Sequence, residues 1–162
     1  MKNLSVLRLV NMAAVAAVYA VLTVAISPLA YGDLQFRFSE ILVLLCFYNK
    51  DYIISLALGT AIANLFSPFA LIDVPFGTLA TILAVICIWK SKNIYLAAIF
   101  PVLFNGIIVG GELAFEYGMP YWWAAVSVAV GEAGVMCVGV IVFRTVLQRN
   151  SMFMKLIDNQ KA

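Results

Sequence analysis

The chain has little charge and no histidine. Only 11% of its 162 residues are charged, 65% are hydrophobic, and the mean hydropathy is +1.04. Ordinary soluble domains are about 25% charged, so this composition excludes a soluble surface. It indicates an all-α integral membrane protein with a single domain over residues 1–162.

Several kinds of active site are also missing. Without histidine the chain lacks the commonest metal ligand and neutral-pH proton carrier. It has no GxxxxGK[ST] motif, which excludes ATP hydrolysis by P-loop chemistry. The three cysteines, Cys46, Cys87 and Cys137, lie in apolar runs without CxxC spacing and are predicted to be small buried residues. We therefore predict no catalytic residue, no metal site and no cofactor bound by this chain.

Six apolar runs predict the helices. They cover residues 9–30, 34–49, 52–67, 75–90, 94–115 and 121–147, followed by a short polar tail. A full crossing needs about 20 helical residues, which the first, fifth and sixth runs supply. The middle three are short, so they are predicted to pack inside the bundle. The first run is too long for a signal-peptide core and lacks an A-x-A site, so we expect it to be retained.

Basic residues predict the orientation. With six crossing helices, one side receives Lys2, Arg8, Lys50, Lys90, Lys92, Arg144, Arg149, Lys155 and Lys161. The positive-inside rule makes that side cytoplasmic, so both termini are predicted to be cytoplasmic. The other side then holds Asp33, Glu40, Asp73, Glu112, Glu116 and Glu132, with Arg37 as its one basic residue.

Some of these acids have structural explanations. Asp33 and Glu116 are predicted in loops, where water solvates them. Glu40 follows Arg37 by three residues and lies in a first helical turn, where pairing and the helix dipole both favour an acid. Asp73 precedes Pro75 and suits a helix start in a loop. Structural and binding roles stay open for Glu40 and Asp73.

Glu112 and Glu132 are harder to explain structurally. Glu112 lies near the end of its helix, where the dipole disfavours a negative charge. Glu132 lies eleven residues into the sixth run, and a charge at that depth costs on the order of 3 kcal/mol. Asn105 precedes Glu112 by seven residues, two turns along the same face. We predict a polar pocket open to the outside that includes these three residues.

Aromatic and amide groups complete the predicted pocket. Asn64 lies near the outer end of the third helix, and Trp122 opens the sixth. Trp122 fits either the interfacial belt of a membrane protein or a flat lid for a planar ligand. Carboxylates and amides suit a ligand that donates hydrogen bonds and carries positive charge. A guanine-like edge has two adjacent donors that one carboxylate can accept.

Small residues on the first helix allow close approach of another helix. Ala13 and Ala17 are four residues apart, as are Ala16 and Ala20. Such stripes occur where membrane helices pack tightly. Similar spacing recurs at Gly106 and Gly110, so packing within the bundle is the alternative to a partner surface.

Five segments in order resemble the QueT family. They are QFRFSE at 35–40, ANLFSP at 63–68, DVPFGTLAT at 73–81, FNGIIVGGEL at 104–113 and VAVGE at 128–132. The resemblance implies a six-helix substrate-binding subunit, or S component, of an energy-coupling factor (ECF) transporter in the bacterial plasma membrane. Its expected ligand is a queuosine precursor, a 7-deazaguanine captured from outside, and the acid excess favours the aminomethyl form over the 7-cyano form and queuine. Nucleic acid is not an expected partner.

The resemblance also implies partners and site residues. The partners are a membrane scaffold subunit, which the Ala13, Ala16, Ala17 and Ala20 stripe would contact, and two cytoplasmic ATPases that use ATP. The residues matching the family motifs are Gln35, Arg37, Glu40, Asn64, Asp73, Asn105, Glu112 and Glu132. A stand-alone carrier for a small cationic or nucleobase-like solute stays open as an alternative. The second alternative, an intramembrane enzyme, has poor support, because the chain lacks histidine and paired aspartates.

Overall fold

The computed structural model describes residues 6–30 and 36–157, apart from the side chains of residues 28, 29 and 156. Every regular element in these ranges is helical, which confirms the predicted all-α class. The helices are α1 (Val6–Ala25), α2 (Phe38–Phe47), α3 (Tyr52–Asn64), α4 (Ala70–Lys90), α5 (Ile94–Tyr117), α6 (Tyr121–Leu147) and α7 (Ser151–Ile157). The predictions for Lys2, Asp33, Gln35 and Lys161 lie outside the described residues.

Four helices are long and apolar enough to cross a membrane, namely α1, α4, α5 and α6. The other two apolar segments, α2 and α3, are shorter. Many large apolar side chains point outward, including Leu71 and Val6, which are 94% and 80% exposed. Such a surface suits lipid, so the chain is a membrane protein. The six-crossing topology and the cytoplasmic termini stay predictions.

The first and third predicted helices end earlier than expected. A turn at Ile26 separates α1 from a four-residue helix, Ser27–Ala30, instead of one continuous helix to residue 30. Pro28 lies in that short helix and cannot donate a backbone hydrogen bond, which favours such a break. The third helix ends at Asn64 rather than at residue 67.

The second predicted helix, residues 34–49, is shorter and more tightly wound than expected. It is a 3₁₀ helix over Phe38–Phe47. Because a 3₁₀ helix rises about 2.0 Å per residue, its ten residues extend about 20 Å, whereas an α-helix of that length would extend about 15 Å. The tighter winding lets a short segment reach further through the bundle.

Two acids that were predicted in loops lie inside helices. The fourth helix begins at Ala70 rather than at Pro75, so Asp73 is in its first turn. The backbone N–H of Asp73 donates to the Phe69 carbonyl at 3.0 Å, which places the helix start before the proline. Pro75 is the sixth residue of this helix and has no N–H to donate to the Leu71 carbonyl, so the helix lacks one backbone hydrogen bond there. The fifth helix extends to Tyr117, so Glu116 lies in its last turn and is half-buried.

The fifth and sixth helices each contain a wider, π-helical turn. In α5 it covers Asn105–Val109 and separates the helical stretches Ile99–Phe104 and Gly110–Tyr117. In α6 it forms the last turn, Phe143–Leu147. The sixth helix covers Tyr121–Leu147 in the structure. π-Helical turns inside α-helices occur frequently at functional sites.

Small residues allow the helices to pack closely. A methyl group added at Gly110 would lie 2.5 Å from the Ala125 backbone, so α5 and α6 are in direct backbone contact there. At Gly59 it would lie 2.9 Å from the Ala16 carbonyl oxygen, which brings α1 against α3. Ala16 and Ala20 are each only 8% exposed. Ala16 and Ala20 therefore pack inside the bundle and are not available to a partner, contrary to the prediction from the sequence. Ala13 and Ala17 are exposed.

Polar contacts join the helix ends on one side of the bundle. Arg8 pairs with Asp51, joining the starts of α1 and α3. The Asn49 amide donates to the Ile157 carbonyl at 3.0 Å and accepts from the Asp51 N–H at 2.9 Å. The Gln148 amide donates to the Tyr48 hydroxyl at 2.8 Å. We call this side the basic end, because Lys50, Lys90 and Arg144 also lie there.

Candidate functional site

The opposite end of the bundle encloses a group of polar side chains that we call the polar cluster. Its members are Arg37, Glu40, Asn64, Asp73, Asn105, Glu112 and Glu132, each no more than 5% exposed. They come from six segments of the chain, namely the residue before α2 and the five helices α2 to α6, of which α3 contributes its last residue. The structure thus brings together seven of the nine residues predicted for the site. Burial of so many polar groups is costly, which indicates a specific role.

Glu40 is the member held by the first helix. The hydroxyl of Tyr19 donates to its carboxylate, and Tyr19 is completely buried. Thr23, one turn further along α1, donates to the Tyr19 carbonyl at 2.9 Å and shares a 2.6 Å hydrogen bond with the Ser39 hydroxyl. These contacts fasten α1 to the start of α2. The hydroxyl of Tyr19, held in place by these contacts, positions Glu40 beside the rest of the polar cluster.

Glu132 and Asn105 form the contact between α6 and the π-helical turn of α5. The Asn105 side chain lies beside the Glu132 carboxylate. Oε1 of this carboxylate has no hydrogen-bond partner among the described residues. Gly106 lies next to Asn105, and a methyl group there would be 3.1 Å from Ala129 Cβ. This close packing holds the two helices so that Asn105 reaches Glu132.

Asn64 and Asp73 connect the end of α3 with the start of α4. The Asn64 amide donates to the Asp73 carbonyl at 2.7 Å, and the Ser67 hydroxyl donates to the Asp73 carboxylate. Asn64 Oδ1 and Asp73 Oδ1 have no partner in the described part of the chain. A methyl group at Gly77 would lie 2.7 Å from Asn64 Nδ2 and 3.9 Å from Arg37 Nη1. Glycine at this position therefore keeps room for both side chains.

Glu112 is a buried acid of the polar cluster that also borders a cavity. Neither of its carboxylate oxygens has a hydrogen-bond partner of good geometry in residues 6–30 and 36–157, although the backbone of Gly77 is nearby. It lies on the wall of a cavity of about 510 Å³ between the start of α4 and the end of α5. The other walls are Ile72, Phe76, Ile108, Gly111 and Phe115. We call this space the Glu112 cavity.

Arg37 is the basic member of the polar cluster. Its guanidinium interacts electrostatically with Glu40, Glu112 and Glu132, and its Nε donates to the Ala30 carbonyl at 3.3 Å. Glu112 also experiences repulsion from Asp73 and Glu116. One guanidinium thus stands against four carboxylates within the cluster. The arrangement is rich in hydrogen-bond acceptors and suits a ligand that supplies donors or positive charge.

Two predicted binding residues are not in the polar cluster. Gln35 lies outside the described residues. Trp122 is 77% exposed at the start of α6, where its ring meets Tyr121 edge-on at 5.1 Å between centroids. An exposed position near a helix end is typical of the interfacial aromatic belt. No group of three metal-type ligands occurs in the part of the chain that the structure describes.

Several polar residues around the cluster were not predicted from the sequence. Tyr19 and Thr23 lie in an otherwise apolar run, where a tyrosine or threonine is ordinarily a core residue. Thr60 contacts the Tyr19 hydroxyl, and Ser67 contacts Asp73. Helical spacing offers a partial signal, because Tyr19 and Thr23 are one turn apart on the face opposite Ala13 and Ala17. Their partner, Glu40, could not be deduced from that spacing.

An α-helical membrane protein with an enclosed, acceptor-rich polar cluster belongs to the general class of solute-binding and transport proteins. Comparison with known proteins makes the class specific. A family model described as QueT transporter matches residues 9–148. The chain is 32% identical over 158 residues to the Queuosine precursor transporter QueT of Lactococcus lactis subsp. cremoris (strain MG1363). The aligned region covers 88% of this chain and 93% of the relative. No solved structure matches the chain.

The chain therefore belongs to the QueT transporter family. This membership makes it a transporter rather than an enzyme, and the predicted family is confirmed.

Proposed function

We propose that this chain is the S component of an ATP-driven ECF importer and captures a queuosine precursor from outside the bacterial cell. The name of the Lactococcus lactis relative supports the ligand class. The plasma membrane is the proposed location, with six crossings and both termini in the cytoplasm. The proposed binding residues are the polar cluster together with Gln35 and Trp122.

The polar cluster is the single observation that carries this proposal. Acceptor atoms without partners occur on Asn64, Asp73, Glu112 and Glu132 in the described residues. A buried acceptor without a donor costs about 1–3 kcal/mol, and more when it is charged. A bound ligand that donates to these atoms removes that cost. A 7-deazaguanine supplies ring N–H and amino donors, and its aminomethyl form adds a cation that four carboxylates attract.

The proposed partners act on the other side of the membrane and within it. A scaffold subunit would contact α1, where Ala13 and Ala17 are exposed and small enough for a helix to approach. Two cytoplasmic ATPases would supply the energy, since the chain contains no P-loop motif. In this arrangement the chain itself binds no cofactor.

Titration calorimetry with the purified chain tests the proposal. The 7-aminomethyl, 7-cyano and queuine forms are the ligands, and riboflavin and thiamine are the controls. We expect the three deazaguanines to bind more tightly than the controls, with the aminomethyl form tightest. Equal binding of all five compounds would overturn the ligand assignment.

The energy source needs a separate measurement. Cells that express the chain alone are compared with cells that also express a scaffold subunit and two ATPases, and uptake of the aminomethyl form is followed in both. Uptake that requires the ATPases supports the S-component role. Equal uptake by the chain alone would make it a stand-alone carrier.

A further inference from the structure

We propose that the planar ring of the ligand binds in the Glu112 cavity and that the Glu112 carboxylate accepts hydrogen bonds from its guanine-like edge. This inference rests on the proposed function and assigns a particular part of the site to a particular part of the ligand. It commits Glu112 to the ring N–H and the 2-amino group, which all 7-deazaguanines share. Glu40 and the neighbouring pair Asn105 and Glu132 would then contact the substituent at position 7 of the ligand.

The size and walls of the cavity fit a flat heteroaromatic ring. Its volume of about 510 Å³ lies within the usual range of small-molecule sites. Phe76 and Phe115 supply aromatic walls, and Ile72 and Ile108 supply aliphatic ones. Aromatic faces stabilise a stacked ring by direct contact as well as by removing it from water. A compact ammonium group gains much less from such walls.

Glu112 is the charged residue that borders the cavity, and its carboxylate, buried behind the cavity wall, has the two acceptors that a guanine-like edge needs. Glu112 is only 5% exposed, and both of its oxygens lack hydrogen-bond partners in the described residues. The edge presents two adjacent N–H donors, which a single carboxylate can accept side by side. Glu40 differs, since its carboxylate already accepts a hydrogen bond from Tyr19, and Glu132 differs, since only its Oε1 is a buried acceptor without a partner in the described residues. Glu112 is therefore the member of the polar cluster best suited to a two-donor edge.

A double-mutant cycle between protein and ligand tests this assignment. The ligands are 7-deazaguanine and 7-deazahypoxanthine, which differ only in the 2-amino group, and the proteins are the wild type, Glu112→Gln and Glu132→Gln. The wild type should prefer 7-deazaguanine by about tenfold to a hundredfold, the value of one charge-assisted hydrogen bond. In Glu112→Gln this preference should fall below about tenfold, because the amide carries no charge and has one acceptor oxygen for the two donors of the edge. In Glu132→Gln it should persist.

The outcomes separate the inference from the proposed function. A preference that survives in Glu112→Gln and disappears in Glu132→Gln would place the edge at Glu132 and overturn the assignment. A wild type that binds neither compound nor any 7-substituted form would instead refute the proposed ligand class. Thermal melting of each variant shows whether it remains folded.

A second pair of variants avoids the buried acid. Phe115 is 79% exposed, so Phe115→Leu should leave folding intact, whereas the lost stacking should lower affinity for 7-deazaguanine about twofold to tenfold. Phe66 is the matched control, because it is 63% exposed near the same end and is not among the cavity walls. Phe66→Leu should leave affinity unchanged. If the two substitutions change the affinity for 7-deazaguanine equally, the ring does not bind in the Glu112 cavity.

Discussion

The two ends of the bundle differ in how many of their polar atoms find hydrogen-bond partners within the protein. At the basic end, Asn49 uses both amide atoms, and Asp51 is paired with Arg8. At the other end, Asn64 uses only its amide nitrogen and Glu112 has no hydrogen-bond partner of good geometry among the described residues. Similar residue types are thus satisfied by the protein at one end and left with open acceptors at the other.

This difference separates polar groups that hold the fold together from polar groups that await a ligand. A satisfied buried hydrogen bond contributes about 0.5–1.5 kcal/mol to stability. An unsatisfied one lowers stability until another molecule supplies the missing partner. Changes at the basic end should therefore alter stability, and changes in the polar cluster should alter ligand affinity.

The largest expected effect comes from a matched pair of asparagines. Asn64→Ala removes an amide of the polar cluster and should lower affinity for the aminomethyl ligand about tenfold, the worth of about one hydrogen bond. Asn49→Ala removes two hydrogen bonds at the basic end and should lower the free energy of unfolding by about 1–3 kcal/mol, with affinity unchanged. Calorimetry and thermal melting measure the two quantities. If Asn49→Ala weakens binding as much as Asn64→Ala, the division between the ends is wrong.

A smaller effect is expected from a pair of glycines. In Gly77→Ala the new methyl group would displace the Asn64 side chain, at a cost of about 1–3 kcal/mol, so affinity should fall severalfold. Gly118 follows α5 with φ of 64° and nothing within 4 Å of an added methyl group. Gly118→Ala should cost about 1 kcal/mol of stability through backbone strain and leave binding unchanged. Calorimetric titration of both variants decides whether the loss of affinity is specific to the polar cluster.

The smallest effect on affinity is expected on the outward face of α1. Replacing both Ala13 and Ala17 with leucine keeps the helix apolar, so binding should stay within about twofold of the wild type because neither residue touches the polar cluster. Co-purification with the scaffold subunit should fall, since leucine prevents close helix approach. The matched variant replaces buried Ala16 and Ala20 and should lower the melting temperature by overpacking. A complex that forms normally with the Ala13 and Ala17 variant would contradict the docking role.

The sequence predicted the buried acids because their cost could be argued without a structure. Glu112 and Glu132 interrupt long apolar runs, and a charge at that depth requires a compensating environment. The structure buries both. The last membrane-length helix, Tyr121–Leu147, also follows the predicted apolar run, which has no proline or loop-like polar segment inside it.

Other features depend on contacts between distant residues. Tyr19 looks like an ordinary core residue until its partner, Glu40, is known, and the two are 21 residues apart in the sequence. The division of the alanines on α1 follows from Gly59 on α3, which allows Ala16 to pack inward. Neither contact is encoded in local periodicity. The same holds for the 3₁₀ winding of α2, because hydropathy gives no measure of helical pitch.

The π-helical turn at Asn105–Val109 changes the phase of the fifth helix. Counting 3.6 residues per turn predicts that Asn105 and Glu112 share a face, yet Asn105 contacts Glu132 and Glu112 borders a separate cavity. Each residue of an α-helix advances the direction of the side chain by about 100°. Deleting one residue from this turn would barely alter length or hydropathy, yet it would turn Glu112 by about 100° relative to the part of α5 that precedes the deletion. The binding chemistry of α5 therefore depends on the number of residues in one turn as well as on their identity.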